Sequence, residues 1–238
     1  TDVNTGNSVI AAEADLNLLQ EMMEAGVMYG HKKTKTNPKF KPFIHTTRNK
    51  IEIIDVAMTL PAIDRAADFL KEQLKNNKMI LLTALQPAAQ PVMESLAEKL
   101  NMPYVKNRWV GGLITNFKII SQRLEYFKKI RDEMEKGGFE KYTKKERVMI
   151  NKNIHNMKEM FEGIENLTRI PDALFIIDTS LKGHTTAVRE AVRMKIPIAA
   201  VIDSDDDPSI VDYPIPANDH AKSSIEWIVN RIIEKLEK

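Results

Sequence analysis

The sequence predicts an α/β fold: a Rossmann-like parallel sheet flanked by helices and interrupted by an antiparallel helical hairpin. Three features predict it. The strands are short and almost wholly apolar, as in Met79–Thr83 and Ala173–Ile177, the pattern of strands buried on both faces. Amphipathic helical stretches alternate with them, which favours a parallel sheet covered on both sides. Between residues 117 and 165 the alternation stops, and apolar positions recur three and four apart.

Taken in order, Leu16, Leu19, Met22 and Met23 mark a first helix that Gly26 ends as a C-cap. Residues 1–15 are small and polar and read as a flexible tail. Ile44 and Ile51–Ile54 read as short strands about a turn at Arg48-Asn49. Thr59-Leu60-Pro61 opens a helix whose apolar face is Ile63, Ala66, Ala67, Leu70 and Leu74. Further helices are expected near 88–100, 186–194 and 221–236, with strands at Tyr104–Val105 and Ile198–Ile202. In the interruption, Phe117, Ile120, Leu124, Phe127 and Met134 form one apolar stripe, with Arg131 breaking a core position. After Gly137-Gly138, the run Thr143-Lys144-Lys145-Glu146 is a capping box that starts a second helix. Ile150, Ile154, Met157, Phe161 and Ile164 continue its stripe. Two such helices would form a projecting coiled-coil hairpin or, on the competing reading, a helical layer folded back onto the sheet; the first gives the expected organisation, an α/β domain over 16–116 and 166–238 with an inserted coiled-coil hairpin at 117–165.

Composition narrows the function. The chain has 238 residues, 43% hydrophobic and 29% charged, which suits a soluble globular protein. It has no Cys, so disulfides, thiolate nucleophiles and cysteine zinc sites are excluded. No apolar run approaches the length of a membrane span, and no secretory signal is expected from residues 1–15. The net charge of +2 hides a segregation: residues 31–50 carry seven Lys or Arg and no acid, while residues 203–219 carry six Asp and no base. Local fields of this kind act over about one Debye length, about 8 Å. The first region suits polyanions.

In that basic ribbon, His31, Lys32, Lys33, Lys35, Asn37, Lys39 and Lys41 are interleaved with Pro38, Phe40, Pro42 and Phe43. Proline stiffening lowers the entropic cost of presenting charge to phosphates, while the aromatics pack or stack. A second candidate is the corner Lys106-Asn107-Arg108-Trp109-Val110-Gly111-Gly112, which runs on to Asn116, Lys118 and Arg123 at the root of the hairpin. Arg and Trp suit phosphate and base or ribose faces, and the glycines allow positive φ or close backbone approach. Two readings of the corner stand: docking against something anionic, or a buried Trp with Gly-Gly as its turn.

Catalytic signatures are sparse. There is no Gly-x-Gly-x-x-Gly after a strand and no Gly-x-x-x-x-Gly-Lys, so a dinucleotide or P-loop site is disfavoured. The five His are scattered without zinc-ligand spacing, and no Ser lies in a nucleophile elbow. Asp178 and Asp203, each following a strand, could bind Mg²⁺ for phosphoryl transfer. The competing reading is that these Asp residues cap helices and form turns.

In series, several segments resemble the S-two family of small-subunit ribosomal proteins. They are Ala25-Gly26-Val27 with Gly30-His31, Asn37-Pro38-Lys39 with Lys41–Ile44, and Arg48-Asn49. Met102–Val105, Asn107–Gly112, Thr115–Phe117 and Arg169–Ala173 follow, then Ile196–Ile198, Asp207-Pro208 and Asp212–Pro216. The resemblance implies no catalysis and no cofactor. It implies binding to small-subunit ribosomal RNA between head and body, neighbouring ribosomal proteins as partners, and help in docking the S-one protein where that partner exists. The implied location is cytoplasmic and ribosome-bound, without membrane association. RNA contact then falls on the ribbon residues named above with Arg48 and Asn49, and on the corner with Asn116, Lys118 and Arg123. Thr36, where the family usually has Trp, the uncharged Ala84–Gln90, Ala217 in place of a usual Gly, and the acidic Ser204-Asp205-Asp206 mark a divergent bacterial-type member.

Overall fold

A computed structural model describes residues 16–136 and 142–237. The 1–15 tail and the Gly137-Gly138 turn lie outside the described residues. The chain is α/β, with eight strands in two sheets among the described residues. Tyr29–Lys32 (β1), Ile44–Arg48 (β2) and Ile51–Ile54 (β3) form an antiparallel sheet in the order β1-β3-β2. Ile80–Thr83 (β4), Tyr104–Val105 (β5), Ala173–Ile177 (β6), Ile198–Ile202 (β7) and Tyr213–Pro216 (β8) form a parallel sheet in the order β5-β4-β6-β7-β8. The helices are 16–24 (α1), Val56–Lys75 (α2), Gln90–Leu100 (α3), Phe117–Glu135 (α4), Lys144–Phe161 (α5), Lys182–Met194 (α6) and Lys222–Glu237 (α7).

Two compact units make up the chain. One comprises Thr1–Glu72, Ile177–Ser180 and Ala199–Lys238; the other comprises Gln73–Ile176 and Leu181–Ile198. In the first, Ile54, Ile63, Leu70, Ile215, Ile225 and Ile228 are buried to within 1% of full exclusion. In the second, Leu81, Leu82, Met93, Leu96 and Phe175 are equally inaccessible. All four residues of β4 and all five of β6 are buried, as their unbroken apolar runs predict.

Several boundaries move, each for a local reason. Helix α2 starts at Val56, not at Thr59, because Asp55 ends β3 and its carboxylate accepts the Ala57 N–H at 3.0 Å. Pro61 therefore sits inside the helix rather than at its first turn. Helix α6 begins at Lys182, four residues before the expected start at Thr186. Strands β1 and β8 were not expected. The β8 segment carries Pro214 and Pro216, which the sheet tolerates because β8 lies at its edge.

Two expectations about helix ends hold in detail. Gly26 adopts φ +76°, and the N–H groups of Gly26 and Val27 close on the Met23 and Met22 carbonyls at 3.1 and 3.0 Å. At the start of α5, Thr143 Oγ accepts the Glu146 N–H at 3.4 Å, and the Glu146 carboxylate accepts the Thr143 N–H at 2.9 Å. Helices α4 and α5 meet through Phe127 and Phe161, whose rings are 6.0 Å apart. Arg131, the polar break in the first stripe, lies 5.6 Å over the Phe127 ring and pairs with Glu165 at 2.5 Å.

Candidate nucleic-acid interface

The basic ribbon lies wholly in the first unit. Lys33–Lys35 and Pro38–Phe43 form short 3₁₀ segments between β1 and β2. Asn37 starts the second of these, accepting the Lys39 N–H on its side chain at 3.0 Å, while its own N–H donates to the Ser204 carbonyl at 2.8 Å. Phe40 is fully buried and packs on Phe43 at 5.3 Å between ring centres, so the aromatics anchor the ribbon. Lys32, Lys33, Lys35, Lys41, Arg48 and Lys50 are exposed, and among the described residues none of them forms an ion pair. Asn49 and Lys50, at the β2–β3 turn, adopt φ of +51° and +66°. Lys39 is committed: its ammonium contacts Asp207 at 2.8 Å and Ser209 at 2.7 Å, and that cation holds the Asp207 carboxyl below the usual range.

His31 opens the ribbon but faces inward to acids. Its N–H donates to Ser204 Oγ at 2.8 Å, and its Nδ1 lies 2.8 Å from Asp203 and 3.4 Å from Asp205. The Asp203 hydrogen bond raises the imidazole pKa against the opposing effect of burial. Beyond it lies a buried carboxylate group: Asp178, Asp203, Asp206 and Asp219 are each 0–3% exposed. Burial, and then the charge of Asp178, push the Asp206 carboxyl up to about 7 against the Thr179 hydroxyl that holds it down.

The corner lies in the second unit and is built around one residue that sequence reasoning missed. Glu190, on α6 and 7% exposed, accepts the Trp109 indole N–H at 3.1 Å and the Gly112 N–H at 2.8 Å. Its other oxygen accepts the N–H groups of Ile114 and Thr115 at 3.0 and 3.1 Å, and the Thr115 hydroxyl at 3.2 Å. Burial raises this carboxyl's pKa, but the donors from Gly112, Thr115, Trp109 and Ile114 outweigh it and leave the value below normal. Gly112 makes the closure possible. Its φ is +86°, and a Cβ there would stand 3.3 Å from Asn116 Cβ. The signal was present in the sequence: Glu190 interrupts the buried stripe of Ala187, Val188 and Ala191, and a carboxylate on an apolar face calls for donors.

This geometry sorts the predicted corner residues. Trp109 is 5% exposed and its indole N–H is taken, as the buried-Trp reading of the corner has it, so the residue fixes shape. Asn107 and Arg108 are exposed and line an open groove of about 520 Å³ with Gln90, Asn156, Glu159 and Met160. Asn107 also donates to the Glu159 carbonyl at 3.2 Å, which ties the corner to α5. Lys106 is tied to Glu94 at 2.6 Å and Glu162 at 3.5 Å. Gly111, Asn116, Lys118 and Arg123 are exposed along the start of α4. Ribbon and corner belong to different units.

Comparison with known proteins gives the class. The small ribosomal subunit protein uS2 of Coprothermobacter proteolyticus is 37% identical over 218 residues, covering 92% of this chain and 81% of that protein. The protein of the same name from Dictyoglomus thermophilum is 37% identical over 219 residues, with 92% and 88% covered. That of Corynebacterium efficiens is 41% identical over 204 residues, with 85% and 73% covered. All three relatives are named as proteins of the small ribosomal subunit. A profile of the family described as Ribosomal protein S2 matches residues 22–238, and the chain belongs to that family. The family is one of ribosome constituents rather than enzymes, so the phosphoryl-transfer alternative built on Asp178 and Asp203 falls away. Among the described residues no helix is long and apolar enough to cross a membrane.

Proposed function

We propose that the chain binds small-subunit ribosomal RNA between head and body through two separate surfaces, the ribbon and the corner. The observation that carries this reading is the ribbon: six exposed Lys and Arg on and between β1, β2 and β3, free of ion pairs among the described residues. Solvated cations held on a short, anchored backbone neutralise phosphates with little ordering cost. Lys32, Lys33, Lys35, Lys41 and Arg48 supply the sequence-independent affinity, with Asn37 and Asn49 setting backbone shape. At the corner Asn107 and Arg108 make the contact, while Trp109, Gly111 and Gly112 present them. Asn116, Lys118 and Arg123 extend that surface along α4.

Residues 117–165 act as a coiled-coil hairpin inserted in the α/β domain of 16–116 and 166–238, reaching neighbouring small-subunit proteins. The family resemblance further supports a cytoplasmic, ribosome-bound chain that helps dock the S-one protein. Crosslinking of reconstituted small subunits, read by mass spectrometry, tests the two surfaces. RNA adducts on peptides from 31–50 and 106–123 are expected. Adducts confined to other peptides would reject the assignment.

A further inference from the structure

We propose that the buried carboxylates of Asp178, Asp206 and Asp219 hold one divalent cation of the oxygen-preferring class, Mg²⁺ in kind, as a structural ion of the first unit. The three residues follow the C-terminal ends of β6, β7 and β8, and each offers a carboxylate oxygen within 4.8 Å of the other two. Two ligands of one Mg²⁺ stand at most about 4.2 Å apart, so small side-chain shifts close the set. Among the described residues no Lys or Arg pairs with Asp206 or Asp219.

Asp219 adds a second observation that points to a ligand. Its side chain is 1% exposed, and its Oδ1 lies 2.5 Å from His220 Nδ1. Its Oδ2 is buried with no hydrogen-bond partner among the described residues. An ionised Oδ2 there lacks a donor, which leaves a buried polar atom unsatisfied. A metal ion satisfies it. Carboxylates with no nitrogen or sulfur donor in the set select a hard cation. His220 and His31 then stand outside the ligand set, orienting Asp219 and Asp203 through their imidazoles.

The ion would also steady the ribbon. Asp206 accepts the Asp203 N–H at 3.1 Å, and the adjacent Ser204 accepts the His31 N–H on its hydroxyl and the Asn37 N–H on its carbonyl, both at 2.8 Å. The loop that carries one ligand is thus the loop from which the basic segment hangs.

The test uses the full chain freed of metal by chelation, titrated with MnCl₂ under electron paramagnetic resonance and melted with and without MgCl₂. One saturable Mn²⁺ per chain is expected, displaced by Mg²⁺, with a melting temperature that rises with Mg²⁺ concentration. Asp219→Asn and Asp206→Asn, which keep side-chain shape, should each weaken Mn²⁺ binding at least tenfold, roughly the loss that even an outer-shell change can cause. Asp68→Asn, at an exposed site, should not. The absence of a saturable Mn²⁺ site in the unmodified chain would overturn the proposal, whether or not the variants fold. So would a site lost in His31→Gln but kept in Asp219→Asn, because the ion would then sit among His31, Asp203 and His220.

Discussion

Glu190 takes five hydrogen bonds from the corner, four of them from N–H groups of residues 109–115. Replacing it by Gln turns one acceptor oxygen into a donor aimed at other donors. Glu190→Gln should destabilise the chain by about 3 kcal/mol, measured by urea unfolding, since donors left unmet inside a protein cost 1–3 kcal/mol each. The effect has a defined pH window. A carboxyl whose folded pKa is depressed contributes stability above its unfolded pKa, near 4.3, and loses it as pH falls through the folded value. The stabilities of wild type and Glu190→Gln should therefore converge as pH falls through the depressed folded value; a gap that persists in acid would mean the carboxylate charge is not what holds the corner. Lysine positions differ in a parallel way. Each phosphate contact adds roughly 0.7–0.9 to the log–log salt slope of RNA binding. Lys41→Ala should lower the slope by that amount, whereas Lys39→Ala, whose ammonium already serves Asp207 and Ser209, should change it less. Sequence alone made Lys39 and Lys41 equivalent, because the acid that claims Lys39 lies more than 160 residues away.

Among the elements, α4 and α5 follow the sequence most closely. Their apolar stripes place Ile120, Leu124, Phe127, Ile154 and Phe161 inside, and the Thr143 capping box forms as its spacing requires. Thr143→Ala should cost about 1 kcal/mol, seen as faster amide exchange in the first turn of α5 and unchanged exchange in β6. Phe161→Ala, which removes the ring packed on Phe127, should cost 3–5 kcal/mol in thermal or urea unfolding. The strands of the parallel sheet were legible for the same reason: β4, β6 and β7 are apolar without interruption. What local patterns could not show was pairing. Strand β1 contains Gly30, His31 and Lys32, and it exists as a strand because Tyr29 and Lys32 pair with Ile53 and Ile51. Strand β8 alternates with proline and is held by its parallel register on β7.

For the molecule as a whole, the charge segregation read from the sequence becomes a difference in exposure. The basic residues of 31–50 are spread over an exposed antiparallel sheet, while four of the Asp residues near the strand ends are withdrawn from water. That withdrawal was not legible, since an Asp cluster before Pro208 reads as a solvated turn until β6, β7 and β8 bring their ends together. The candidate surface was half legible: the ribbon cations are exposed, as their sequence suggests, while of the two readings the sequence left open for Trp109 the structure has the buried one, with the indole on Glu190. The most direct test is sedimentation of the tagged chain from cell lysate on a sucrose gradient at moderate salt. A chain of the Ribosomal protein S2 family that binds small-subunit RNA should sediment with the small subunit and leave it as salt is raised. Recovery of the chain only at the top of the gradient, with small subunits lacking it at every salt concentration, would contradict that role.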